Sequence, residues 1–340
     1  MYNIMDNLES SLNTFPIDVV VPWVDTTDEA WINRYENTLN KPFKRSERWS
    51  PESAPPDTEL SLCLKLIRKN MPWIRNVFIL TQQQDPKCRT ENEILIDHSD
   101  IGLGLVFNSC AFEPSIYKIP GLSEHFLYLN DDVYFVRKVP RDLFFTDEGK
   151  TIIQIEEDSN PSDNIFAKTN KNTLKLYGSK KYLQLPHTHR SLTKSQMIAA
   201  EKLFPKSWED SRNALVRGDP GEINALVATF ITSIENSTAI LYSKSNIKYI
   251  YSDFPMDIGM FRHWFNINPP HVVCINAFNS TKEELYDSIE KPPRLYPNII
   301  FSKDFYRSIY KTSCVHINEI LYIIIILIIL ICIYKSFISS

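Results

Sequence analysis

Ile17-Asp18-Val19-Val20-Val21-Pro22-Trp23-Val24-Asp25 is the stretch on which the fold turns. An apolar, β-branched run bounded by polar segments reads as a strand buried on both faces, and Pro22 suits its C-terminal end. The same kind of run returns at Asn76 to Thr81, at Ile94 to Asp97 and at Phe126 to Leu129. The last is followed at once by Asn130-Asp131-Asp132 and then by Val133 to Val136. Between these runs the pattern turns helical. Asp28 to Asn40 forms one candidate, with Asp28 in its first turn, and Asn108 to Tyr117 another. Asp57-Thr58-Glu59 opens a third that reaches about Lys69, with Leu60, Leu64 and Ile67 on one face. Pro42 to Pro56 is a polar, proline-bearing loop. Strands alternating with helices predict an α/β layered domain with a largely parallel sheet. Ligands of such sheets gather beyond the carboxyl ends of the strands, and both Asp25 and the Asp131-Asp132 pair fall there.

The second half reads as more helical. Thr193 to Phe204 is amphipathic and stopped by Pro205. Pro220 to Ile234 is a further helix, with Asp219 as N-cap and Pro220 at the first helical position. Ala239 to Tyr242 and His271 to Ile275 look like strands. Asp304 to Ser313 leads into Ile320 to Tyr334, fifteen uninterrupted apolar residues without a polar stripe. Fifteen falls short of the roughly 20 that span a bilayer, but Phe337 and Ile338 extend the run while Lys335 snorkels. This gives a transmembrane anchor over residues 317–336. Met1 to Phe15 lacks the basic and apolar regions of a signal peptide, so the bulk of the chain is expected on the cytoplasmic side of that anchor. Arg307 and Lys311 before the run, against Lys335 after it, agree with that orientation.

Composition removes whole classes of function. Only 8 of 340 residues are glycine, roughly 2% against a usual 7%. No G-x-G-x-x-G exists: Gly102 and Gly104 have the first spacing, but Phe107 stands in the third place. Gly149-Lys150-Thr151 ends like a P-loop, yet Phe144 occupies the site of its first glycine. Phosphates, if handled, are handled without a glycine cradle. A net charge of −4 points to no nucleic-acid partner. Locally the balance swings. Asp147 to Asp163 holds six acids and one lysine, whereas Ile165 to Ser207 holds nine basic residues and one acid. Either these are solvated faces, or the basic stretch borders a groove for an anionic ligand. The six cysteines are scattered without a C-x-x-C, which argues for reduced thiols.

Three constellations carry chemistry. In Leu129-Asn130-Asp131-Asp132 the adjacent carboxylates lie where a hard cation and a diphosphate share oxygens, in the manner of magnesium; the alternative is a turn capped by its own acids. His187-Thr188-His189 follows Pro186. In an extended segment two histidines at this spacing point to opposite sides, so at most one serves the site, as a base toward a bound hydroxyl. Arg217, just ahead of a predicted helix, suits an anion, or is an exposed loop arginine.

Taken in order, these segments resemble the Stealth family of sugar-phosphate transferases of capsule and cell-surface polysaccharide synthesis. Residues 17–25 with Trp31 resemble its first conserved region. The second is matched by Glu59-Leu60, Pro72-Trp73-Ile74-Arg75-Asn76, His98-Ser99-Asp100, Phe107-Asn108-Ser109 and an almost unbroken Ile119 to Asp132. Pro186-His187-Thr188 through Arg217 resembles the third region, and Cys274-Ile275-Asn276 the fourth. The resemblance implies one transferase domain over residues 17–313, after a leader of residues 1–16, with a fold of the nucleotide-sugar transferase type. It implies a reaction in which an acceptor glycan hydroxyl attacks the sugar-bearing phosphate of a UDP-sugar and UMP leaves. Carried over by motif, Asp18, Asp131 and Asp132 form an acidic centre, and Asp131 and Asp132 hold a divalent metal, expected to be Mg²⁺. His187 is the base or acceptor contact and Arg217 a phosphate clamp, while Asp25, Asn108 and Asn130 touch substrate. Three departures stand out. Pro55-Pro56-Asp57-Thr58 replaces the family's Arg-Phe-Arg-Asp, and His189-Arg190 stands where proline and an aromatic or histidine are common. Ala277 follows Asn276 where an aspartate is typical. A glycosyltransferase releasing UDP, and a non-catalytic, membrane-tethered glycan-binding protein, are the alternatives.

Overall fold

The computed structural model describes residues 15–44, 58–155, 165–178, 185–218, 221–242, 247–251 and 270–276. All lie within one compact unit of residues 1–293. Most of the expected leader, the anchor at 317–336, Pro55 to Asp57, Asp219-Pro220 and Ala277 fall outside the described residues. Among the described residues no helix is long and apolar enough to cross a membrane.

The chain is mixed α/β around a parallel-rich sheet. It begins with β1 (Ile17–Pro22), whose last residue is the proline that the sequence places at a strand end. Helix α1 (Glu29–Leu39) follows, capped by the Asp28 carboxylate on the Ala30 N–H, and then α2 (Thr58–Asn70), β2 (Val77–Thr81) and β3 (Glu93–Asp97). The expected helix from Asn108 to Tyr117 divides. One α turn, α3 (Ser109–Phe112), gives way to a 3₁₀ segment at Glu113–Lys118. Pro114 causes the break, because it has no N–H to continue the ladder. Then come β4 (His125–Tyr128), β5 (Val133–Phe135) and β6 (Thr151–Gln154).

The second half opens with α4 (Ile165–Leu176), β7 (Arg190–Thr193) and α5 (Lys194–Leu203), the last capped by Thr193 and Gln196 in a capping box. Pro205 both ends α5 and starts α6 (Pro205–Arg212), where its missing N–H costs nothing. Helix α7 (Ala225–Glu235) begins later than Asp219-Pro220 suggested. Its N-cap is Asn224, whose side chain accepts from the Val227 N–H at 3.0 Å. Strands β8 (Ala239–Tyr242), β9 (Ile247–Tyr251) and β10 (Val272–Asn276) close the described chain.

The main sheet runs β3-β2-β1-β4-β7. The first four strands are mutually parallel, and β7 lies antiparallel to β4 at the edge. Alternate residues serve opposite faces, as a pleated strand requires. Val19, Val21, Ile79 and Leu127 enter one core with Leu60, Leu64 and Ile67 of α2. Val20, Phe78, Leu80, Phe126 and Tyr128 enter the other, beneath Ile116, Met197 of α5 and Phe230 of α7. The sheet is thus covered on both sides, which explains why its strands read as continuous apolar runs. A second sheet, β5-β10-β9, and a two-stranded pair, β6-β8, complete the strands.

Candidate active site

Strand order decides where the site lies. From β1 the chain steps outward to β2 and β3, then returns to the other flank of β1 as β4. The reversal between β1 and β4 is a switch point, where the loops leaving adjacent strand ends diverge and open a crevice. Trp23 to Asp25 leaves β1 at that edge, and Leu129 to Asp132 leaves β4 beside it, with the Leu129 N–H bonded to Val20 O at 3.2 Å. The chain then turns sharply: Val133 N–H bonds Asn130 O at 3.1 Å, putting Asp131 and Asp132 at the tip.

Two further pairings bring distant residues to this tip. Tyr128, the last residue of β4, pairs with Arg190, the first of β7. Since the strands are antiparallel, residues before Arg190 pass over the same edge that residues after Tyr128 have just crossed. Strand β5, meanwhile, pairs with β10, setting Cys274 opposite Val133, one residue from Asp132. Asp132, His187 and Cys274 therefore converge, their ligand atoms lying within 4.8 Å of one another. His187 Nδ1 is 3.4 Å from Cys274 Sγ, and the Cys274 thiol hydrogen-bonds the Asp132 carboxylate. Asp132 Oδ1 is buried without a hydrogen-bond partner.

The local electrostatics favour uncharged forms. Burial and then the neighbouring Asp131 charge push Asp132 up to about 7, against the thiol bond from Cys274. Burial also raises Asp131 to about 6, against hydrogen bonds from the backbone N–H groups of Asp131 and Asp132. His187 is held down at about 4 by burial, with Arg190 and Arg217 adding to the effect. Burial and the carboxylate of Asp132 keep the Cys274 thiol well above its ordinary range.

Two arginines, Arg190 and Arg217, bring positive charge toward His187. Arg190 Nη1 donates to the carbonyls of Pro186 at 2.6 Å, His189 at 3.0 Å and Thr188 at 3.4 Å, which binds the loop carrying His187 to the start of β7. Arg217 is exposed and donates to Ser109 Oγ at 2.8 Å. It faces the buried Glu113, which also accepts from Tyr128 Oη at 3.2 Å. Burial lifts Glu113 to about 7, opposed by Arg217, Tyr128 and Arg190.

Not every residue singled out by sequence reaches this centre. Asp18 lies near the start of β1, in register with Phe126 near the start of β4, hence toward the opposite edge of the sheet. Its buried carboxylate takes Arg75 Nε at 2.9 Å, Arg75 Nη2 at 2.6 Å, Asn76 N–H at 3.1 Å and Ser123 N–H at 2.6 Å. A carboxylate with four donors at the N-terminal end of the strands cannot share a centre with Asp131 and Asp132. Asn108 is buried and committed: Oδ1 caps the Cys110 N–H, and Nδ2 donates to the Glu222 carboxylate. Asp25 is on the right edge, but its Oδ1 closes a local turn with Thr27 while its backbone is held by Gln84. Asn130 accepts from Tyr128 Oη at 3.4 Å beside the acidic turn. The two histidines do part company. His187 joins the cluster, whereas His189 is buried against the rings of Phe144 and Phe135, at 4.8 and 5.8 Å.

Sequence reasoning gave no role to Cys274, Glu113 or Arg190. For Cys274 the available signals were its place in the strand-like run His271 to Ile275 and in the fourth-region resemblance, but the partner of that strand has no local signature. Fit to a metal follows from the donors. Magnesium wants oxygen ligands in octahedral array. Here Asp132 stands with a thiol and an imidazole, while Asp131 accepts from the main chain, so this set does not fit Mg²⁺.

Residues 56–153 match the family model for Stealth protein CR2, conserved region 2. A capsular polysaccharide phosphotransferase of Neisseria meningitidis serogroup B is 41% identical over 158 residues, 43% of this chain and 42% of that protein. The chain thus spans less than half the length of that relative. The capsular polysaccharide phosphotransferase fcs1 of Haemophilus influenzae is 28% identical over 320 residues, covering 83% of this chain and 84% of that one. Among solved structures, the galactosyltransferase LgtC with donor and acceptor sugar analogues aligns at a TM-score of 0.43 and 12% identity, over 82% of this chain and 97% of that one.

Proposed function

The chain belongs to the Stealth family, and on that premise we propose that it is a sugar-phosphate transferase: it passes sugar-1-phosphate from a UDP-sugar to a glycan hydroxyl and releases UMP. The observation that supports the reading is the convergence of Asp132, His187 and Cys274 beside Asp131 at the switch-point edge of the sheet, with Arg190 tied to the loop that carries His187. In the transfer the acceptor oxygen forms a bond to the phosphorus that bears the sugar. The bond from that phosphorus to the bridging oxygen breaks, and its electron pair leaves with UMP. Such a transition state is loose and asks for positioning and charge neutralisation more than for covalent help.

The residues divide that work. Arg217, exposed at the rim, clamps the diphosphate, and Arg190 holds the loop that aims His187. His187 is a neutral imidazole and, held near 4, a weak base, so its place is as a contact in the site and not as the proton acceptor. Asp131, at the same turn, is the carboxylate that takes the hydroxyl's proton. Asp25 and Asn130 border the crevice as substrate contacts. A divalent cation at Asp132 belongs to the reading, with no step of the transfer assigned to it. The scaffold is read as a nucleotide-sugar transferase type. The apolar run at 320–334 is read as a membrane anchor, with the transferase domain facing the cytoplasm.

Product analysis tests this. Incubation with a panel of UDP-sugars and glycan acceptors is expected to yield UMP and a phosphodiester-linked product, lost in Arg217→Ala. Release of UDP would make the chain a glycosyltransferase instead. Failure to bind any UDP-sugar by calorimetry would favour a non-catalytic glycan-binding protein.

A further inference from the structure

We propose that Asp132, His187 and Cys274 form a three-ligand site for zinc, a metal with a borderline-soft preference, in place of a magnesium site. The donor set is a carboxylate oxygen, an imidazole nitrogen and a thiol sulfur, the mixture that zinc accepts and magnesium does not. The geometry is already close. Tetrahedral zinc with ordinary bond lengths to sulfur and nitrogen separates those two ligands by about 3.6 Å. His187 Nδ1 and Cys274 Sγ stand 3.4 Å apart.

A second observation points the same way. Asp132 Oδ1 is buried without a hydrogen-bond partner, which costs free energy unless something positive meets it. The three ligands come from the β4–β5 turn, the loop before β7, and β10. They are brought together by strand pairing and not by a local turn, so the cluster is a product of the fold. Binding exchanges the thiol proton for the metal: Cys274 releases H⁺ and the S–Zn bond forms, while the carboxylate and imidazole add lone pairs. Three protein ligands leave a fourth position open, the arrangement of zinc sites that meet a substrate rather than merely hold a fold. In the proposed transferase that position would take a donor phosphate oxygen. The inference rests on that reading for its purpose but not for its existence.

The test uses the detergent-solubilised full chain. As isolated it is expected to carry about one zinc per chain by mass spectrometry. After the metal is stripped, Co²⁺ should bind with a near-ultraviolet thiolate-to-cobalt absorption and the intense visible bands of tetrahedral cobalt, unmoved by excess Mg²⁺. Cys274→Ala should abolish the near-ultraviolet band, His187→Ala should weaken metal retention, and Cys110→Ala should leave both unchanged. Circular dichroism checks that each variant is folded, and the wild-type measurements stand without any variant. Absence of zinc together with absence of the cobalt–thiolate band overturns the proposal, as does a band that survives in Cys274→Ala. Absence of both zinc and the cobalt–thiolate band with UMP release intact defeats this inference alone; metal bound with no UMP release defeats the transferase reading alone.

Discussion

Replacing Asp18 should cost stability and leave chemistry alone. The side chain is wholly buried, while Arg75 opposite it keeps 42% of its side chain exposed. Asp18→Ala leaves the N–H groups of Asn76 and Ser123 without their acceptor, and Ser123 is itself buried. An orphaned buried donor costs about 1–3 kcal/mol, and breaking a fully buried pair more. Arg75 can rehydrate and still donates to Gly121 O at 2.8 Å, so the ion-pair part must be discounted. The sum is about 3 kcal/mol for Asp18→Ala, and about 1–2 kcal/mol for Asp18→Asn, which keeps one acceptor oxygen. Urea unfolding followed by circular dichroism should read these as lowered midpoints at constant slope. UMP release per folded molecule, measured well below the transition, should match the parent for both variants. If Asp18→Asn keeps its urea midpoint but loses turnover by more than about tenfold, a barrier increase near 1.4 kcal/mol, the reasoning fails and the carboxylate belongs to the chemistry.

Glu113 supplies a pH dependence with a definite sign. Burial holds it near 7 in the folded chain against an ordinary 4.5, so between those values the unfolded chain has released a proton that the folded chain keeps. Stability must therefore fall as pH rises through that window, by up to about 3 kcal/mol, and level off above it. Glu113→Gln, which keeps an acceptor for Tyr128, should remove that component; equal pH profiles for parent and variant in urea melts would count against it. Arg190→Lys should lower kcat at least about tenfold while the variant stays folded. The carbonyls of Pro186, Thr188 and His189 are all met by the one nitrogen Nη1, which a shorter lysine stem does not bring to the same place, so the loop that carries His187 loses its tie. Unchanged kcat would show that the clamp does not position the site.

Local structure was legible where a segment's own side chains decide it. Strands β1, β2 and β4 are dense apolar runs, and the sequence placed each to within about two residues of its observed ends. The helices beginning near Asp28 and Thr193 were legible as helical segments, and the structure shows both residues as their N-caps. The errors arise where two local signals competed or none existed. Asp219-Pro220 is a good helix start, yet Asn224 caps α7 because its side chain reaches the Val227 N–H. Arg190-Ser191-Leu192-Thr193 has one strongly apolar residue and becomes a strand only through its ladder with β4.

The sequence by itself determined the layered α/β class, singled out the acidic turn at Asp131-Asp132 as the focus of the candidate site, and set His187 and His189 on opposite sides. These rest on periodicity and backbone geometry, which act between near neighbours. The tertiary structure alone decided which residues share the site with that turn. The parallel register of β1 with β4 left Asp18, near the start of β1, at the opposite edge of the sheet, where it ties β1 to the loops at Asn76 and Ser123. The antiparallel register of β5 with β10 carried Cys274 to Asp132, where a thiol, an imidazole and a carboxylate meet. Register is a contact between segments far apart in the chain, and no residue in either segment encodes it locally.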